Sequence, residues 1–210
     1  MKHLILIILL TASASRAELF GFNAITANDT NGTAQIVGES QLFMDVTSTG
    51  EGQVSVLFTN TGPASSAISE IYFSTLDPDV APPVSLEIVS VINGPGVSFV
   101  DGDVAPPNPP GGELIGWMCT DEAAGSEKAA KNAIDPYEYL ILEMTYTEPP
   151  YNFLDMLHSG DLQVALHVID MGAGGEFSET FVNVIPEPAS MVLLLGTSGL
   201  IAFVRRKFSV

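Results

Sequence analysis

Apolar and polar positions alternate with period two along most of the chain. In Gln53–Thr59, Val54, Val56 and Phe58 fall on one face and Gln53, Ser55 and Thr59 on the other. Leu162, Val164, Leu166 and Val168 repeat the pattern, as do Leu140, Leu142, Met144 and Tyr146, and Leu42, Met44 and Val46. Ile68–Ser74, Val84–Ile92, Val97–Val100 and Phe181–Val184 follow it less cleanly. Such one-sided runs, bounded by Gly, Pro, Asn and Asp, predict half-buried β-strands. Thr49-Gly50-Glu51-Gly52 predicts a hairpin, and Asn60-Thr61-Gly62-Pro63 and Asn93-Gly94-Pro95-Gly96 predict turns. Short connections between alternating runs predict antiparallel sheets packed face to face, so the expected fold is all-β: a single antiparallel β-sandwich of about eight to nine strands.

Helical signals are few. Ser126–Ala133 predicts one or two turns with Ser126 as N-cap, and Asn152–Leu157 another turn ending near His158 and Gly160. Asp103–Gly112 holds four prolines and predicts a loop, since proline cannot donate to a ladder. No internal repeat or linker divides the body.

The two ends break the alternation. Lys2, the apolar run Leu4–Leu10 and the small residues after it read as a signal peptide, with cleavage expected after Ala17 and Ala14 as the second choice. Seven apolar residues fall well short of the roughly 20 that span a bilayer, which argues against an uncleaved anchor. Near the other end stand Pro186-Glu187-Pro188, the apolar run Ala189–Val204 and the cluster Arg205-Arg206-Lys207. As a helix the run reaches about 24 Å at roughly 1.5 Å per residue, slightly short of a hydrocarbon core. The basic cluster predicts a cytoplasmic stop, with the body outside. The domains read as a signal peptide over 1–17, an ectodomain over 18–185 and a sorting segment over 186–210.

That ordered trio of Pro186-Glu187-Pro188, transmembrane helix and basic tail resembles the PEP-CTERM sorting signal of bacterial envelope proteins. The resemblance implies export by the Sec route with signal peptidase removing the leader, insertion in the membrane through the C-terminal helix, and processing by an exosortase, a multi-pass membrane transpeptidase that cuts near the Pro-Glu-Pro. A plain single-pass anchor is the alternative fate. The body is also reminiscent of PEP-CTERM ectodomains in Phe58–Pro63 followed by Ile71–Phe73, in Asp135–Leu140, in Leu162–Val168 and in Gly175–Phe181. This second resemblance carries no catalytic residue.

Charge narrows the partners. The chain has a formal net charge of −18. Within 18–185 only Lys128 and Lys131 are basic, against 24 acidic residues, which gives the body −22. Such a surface repels nucleic acid and anionic headgroups. Few ion pairs are available, so stability must come from apolar burial. Cys119 has no partner for a disulfide within the chain and reads as a small buried hydrophobe beside Trp117.

Candidate chemistry is sparse. Asp101-Gly102-Asp103, Asp77-Pro78-Asp79 and Asp29-Thr30-Asn31-Gly32 offer oxygens to calcium, with Asp101 and Asp103 the chosen pair, yet Asp and Asn also form turns by bonding their own backbone. Counting twelve from Asp29 reaches Ser40, so no EF-hand loop is completed. His158, His167 and Cys119 are too few and too scattered for zinc. His167 is expected on the solvent face of a strand and His158 at the end of a helical turn. No nucleophile elbow or phosphate loop occurs. The expectation is a non-enzymatic envelope or extracellular-matrix protein without a cofactor. The alternative is a calcium- or glycan-binding surface module that stays anchored, for which exopolysaccharide is a possible partner. A hydrolase would need His158 or His167 to meet a Ser and an acid in space.

Overall fold

A computed structural model describes residues 17–75, 85–102, 104, 107–117, 120–147, 152–172 and 174–185. They form two antiparallel sheets. The first orders its strands β1 (Ala17–Phe20), β3 (Leu42–Gly50), β4 (Gln53–Asn60), β9 (Tyr139–Tyr146) and β6 (Leu86–Asn93). The second orders β2 (Phe22–Ala24), β11 (Phe177–Asn183), β10 (Leu162–Met171), β5 (Ala67–Thr75), β8 (Glu122–Ser126) and β7 (Phe99–Asp101).

The alternating residues meet in register. Val56 lies opposite Val46 and Leu142, and Phe58 opposite Met44 and Leu140. In the other sheet Leu166 lies opposite Ile71 and Phe181. These side chains are fully buried in one core between the sheets. Phe58 meets Phe73 across it edge to face, with ring centres 6.3 Å apart, a favoured aromatic geometry. The all-β, two-sheet expectation therefore agrees with the structure.

Several elements differ from the sequence reading. The described residues contain eleven strands, because β1, β2 and β8 were not legible. β1 and β2 are short and share only Gly21 between them, and β8 reads Glu-Ala-Ala-Gly-Ser, with no large apolar residue. Ser126 is the last residue of β8 and not a helix cap; the turn that follows is a single 3-10 turn at Ala129–Asn132, preceded by Lys128. A nine-residue helix, α1 (Thr33–Gln41), was missed because its Thr, Ile, Val and Gly favour helix weakly. It lies against β2 and β11. Gly38 makes that approach possible, since a Cβ there would strike the Phe181 ring. The second helix, α2 (Phe153–Ser159), agrees with expectation. Asn152 caps it, its Oδ1 accepting from the amides of Leu154 at 3.0 Å and Asp155 at 3.4 Å. Gly160 ends it in the left-handed region at φ 83°.

The sheets differ on their outer faces. Trp117, Tyr72, Ala123, Ala165 and Val182 make a second apolar cluster, with Ile25, Val104 and Ile115 against it. Tyr72, Ala165, Val182 and Ala123 are cross-strand neighbours in the second sheet. Val104, Ile115 and Trp117 thus cover that part of the sheet.

Candidate functional site

The body ends at a tight junction. Asn183 lies opposite Phe22, and its Oδ1 accepts the Val164 amide at 2.7 Å. One residue on, the Val184 amide donates to Gly21 O at 2.9 Å. Ile185, 45% exposed, is the last described residue and sits beside Gly160 at the end of α2. The start of the body is close by, because Gly21 directly follows β1. There Glu18 Oε1 meets His158 Nε2 at 2.6 Å, and the His158 ring lies 5.8 Å from that of Phe20. His158 thus stands in the last turn of α2, where a positive charge suits the helix dipole. Ala17, the expected cleavage residue, is exposed and pairs with Thr47 as the first residue of β1. Chain entry and chain exit share one pole.

A family model, the PEP-CTERM protein-sorting motif, matches residues 184–207. The chain carries a PEP-CTERM protein-sorting motif. That motif implies export to the cell envelope and exosortase-related processing in general. The match begins at Val184, the residue hydrogen-bonded to Gly21. No curated protein and no solved structure matches the chain. Pro186, Glu187, Pro188, the run 189–204 and Arg205, Arg206 and Lys207 lie outside the described residues, as do residues 1–16, Asp77, Asp79, Asp103 and Cys119. Among the described residues no helix is long and apolar enough to cross a membrane.

The acidic loops of the body resolve into separate arrangements. Asp29 is buried, and its two carboxylate oxygens accept the Asn31 amide at 2.9 Å and the Ala34 amide at 3.0 Å. These backbone bonds, that of Ala34 first, hold its carboxyl below the usual range. Asp29 therefore does the local capping expected of a turn former. Asp101 is exposed on β7 beside Glu122 of β8. Burial, and also the charge of Asp101, hold the Glu122 carboxyl above its usual range, although the Ala123 amide donates to it at 2.9 Å. Asp135 is likewise raised, by burial and then by the charges of Glu138 and Asp170. Among the described residues no group of three or more His, Cys, Asp or Glu could hold a metal ion.

Two constellations escaped sequence reasoning. Glu179, 1% exposed, accepts from Thr26 Oγ1 at 2.5 Å, the Asp29 amide at 2.8 Å and Gln35 Nε2 at 2.8 Å, and so pins the 26–35 segment to β11. The signal was a carboxylate at a core-side position between Phe177 and Phe181. His167 Nδ1 lies 2.7 Å from Glu70 Oε2, the oxygen that also accepts from Tyr72 Oη at 2.8 Å. Burial, then Glu70, pushes the Tyr72 hydroxyl upward. His167 faces away from the main core, as expected, but its side chain is only 19% exposed. Ser69 Oγ donates to the His167 carbonyl at 3.1 Å and so is turned to the backbone. A shallow recess of about 230 Å³, lined by Ser85, Glu87, Thr145, Tyr146 and Thr147, contains no histidine.

Proposed function

We propose that this chain is a non-enzymatic protein of the cell envelope or extracellular matrix, delivered outside by its PEP-CTERM signal and released from its membrane helix by an exosortase-like transpeptidase. The observation that carries this reading is the sorting motif at 184–207, which starts at the residue where the folded body stops. In the processing step one backbone peptide bond breaks near Pro186-Glu187-Pro188. The acyl carbon passes to a hydroxyl or amine acceptor, or to water, and the acceptor's proton leaves on the new amine. The body contributes a stable acidic domain that stays soluble outside the cell through its like charge.

A calcium- or glycan-binding module is the second reading, and the Asp101–Glu122 contact favours it. A divalent ion there would offset the burial that chiefly raises Glu122 and relieve the added repulsion from Asp101. Calorimetry of residues 18–185 with calcium and a glycan panel separates the two, since heat of binding would favour the module.

The deciding variant is Pro186→Ala/Glu187→Ala/Pro188→Ala in the native host. The proposal expects full-length protein to accumulate in the membrane fraction. Unchanged size and unchanged location would overturn it.

A further inference from the structure

One residue, Ile185, separates the last backbone bond of the fold from Pro186. β11 is held on both sides, by β10 and by β2. Its final bonds are Asn183 Oδ1 to the Val164 amide and the Val184 amide to Gly21 O. Only Ile185 separates the latter from Pro186, and the apolar run begins at Ala189. Four residues of fully extended chain span at most about 14 Å. With the apolar run inserted from Ala189, as the processing reading requires, the spacer between body and bilayer would be no longer than this. Enzymes that cut peptide chains commonly bind them extended, pairing with backbone groups as an added strand would. A backbone group already paired within a sheet is not available for that.

We infer that the folded body withholds residues 182–185, the chain leading into Pro186, and that the processing enzyme gains them only when Asn183 and Val184 peel away from Val164 and Gly21. The inference rests on reading the motif as a processing signal. The local structure suits a limited opening. β2 is an edge strand of three residues, so few ladder bonds hold β11 on that side. Phe181, fully buried under Gly38 of α1, resists further unzipping. The peeled segment is thus 182–185. Processing then follows the population of this opened state when opening and closing are fast. A body that has not folded offers the same segment without opening, so the device does not hold back unfolded precursor.

The test is the rate at which labelled full-length chain is converted to the shortened form in the native host. A Gly-Ser linker of about eight residues, roughly 25 Å when extended, placed between Ile185 and Pro186 leaves residues 17–185 untouched. It is expected to speed conversion by about threefold or more. Asn183→Ala removes the acceptor for the Val164 amide and is expected to act in the same direction. A linker variant processed at the wild-type rate or more slowly overturns the inference, whatever the folding of Asn183→Ala. The Pro186→Ala/Glu187→Ala/Pro188→Ala chain run alongside separates the two failures. If it is not converted while the linker has no effect, the occlusion falls and the processing reading stands. If it is converted normally, the processing reading falls first.

Discussion

The outer faces of the two sheets have opposite fates. On the second sheet the row Val182, Ala165, Tyr72, Ala123 is roofed by Trp117, Ile115 and Val104. On the first sheet a matching row runs Leu19, Asp45, Leu57, Ile141, Ile92 across all five strands. Leu19 is 60% and Ile92 45% exposed, and among the described residues no second apolar cluster forms there. Both rows alternate with the same core, so strand pattern alone does not distinguish them. What differs is a proline-rich connection of the kind usually dismissed as loop. Its prolines cannot donate to a ladder, yet Val104, Ile115 and Trp117 are enough to cover part of a sheet.

Removing the roof is the strongest way to break this contrast. Trp117→Ala empties the centre of the second cluster and is expected to cost about 3 kcal/mol, a lowering of Tm by roughly 6–12 °C in thermal unfolding. Next comes the anchor at the sheet's edge. Glu179→Ala leaves the Thr26 hydroxyl, the Asp29 amide and the Gln35 amide without their acceptor, and is expected to cost about 2 kcal/mol in urea unfolding. On the bare face the sign reverses. Asp45 Oδ1 is buried without a hydrogen-bond partner in the middle of an apolar row, so Asp45→Val is expected to stabilise by about 1 kcal/mol. The same change lengthens the apolar row, and light scattering is expected to show earlier association.

Smaller effects follow from the raised carboxyls. A carboxyl whose folded pKa is raised supports the fold below its unfolded value and loses that support as pH rises through the folded one. Glu122→Gln is therefore expected to stabilise at neutral pH and to be indifferent below the ordinary glutamate range. Asp29, held low, acts oppositely: its contribution is present above the unfolded aspartate value and is lost as pH falls through the folded one. Smallest of all is Ile92→Thr on the bare face, expected within about 0.5 kcal/mol of wild type. A large loss there would mean that the first sheet is covered too.

Much of the fold was legible because burial on one side writes a period of two into each long strand. β4, β9 and β10 announce themselves this way, and α2 through its Asn152 cap and Gly160 stop. What was not legible depends on partners distant in sequence. Ala123 of β8 packs in the cluster with Trp117 while Ala124 faces the main core, so β8 shows no large apolar residue, and α1 is helical because Asp29 and Glu179 hold its entry and Phe181 receives Gly38. The sorting motif was fully legible, since it is a linear signal that needs no fold. How close the fold comes to it was not, because the Val184–Gly21 bond joins residues far apart in the chain.

The central claim is that this body is cut from its membrane helix near Pro186-Glu187-Pro188. Intact mass of the protein from its native host, taken from membrane and secreted fractions, tests it most directly. The account predicts a chain starting at Glu18 and ending near Pro186, with or without the mass of an added carrier. A membrane species that still retains Val210, with no shorter form in either fraction, would contradict it.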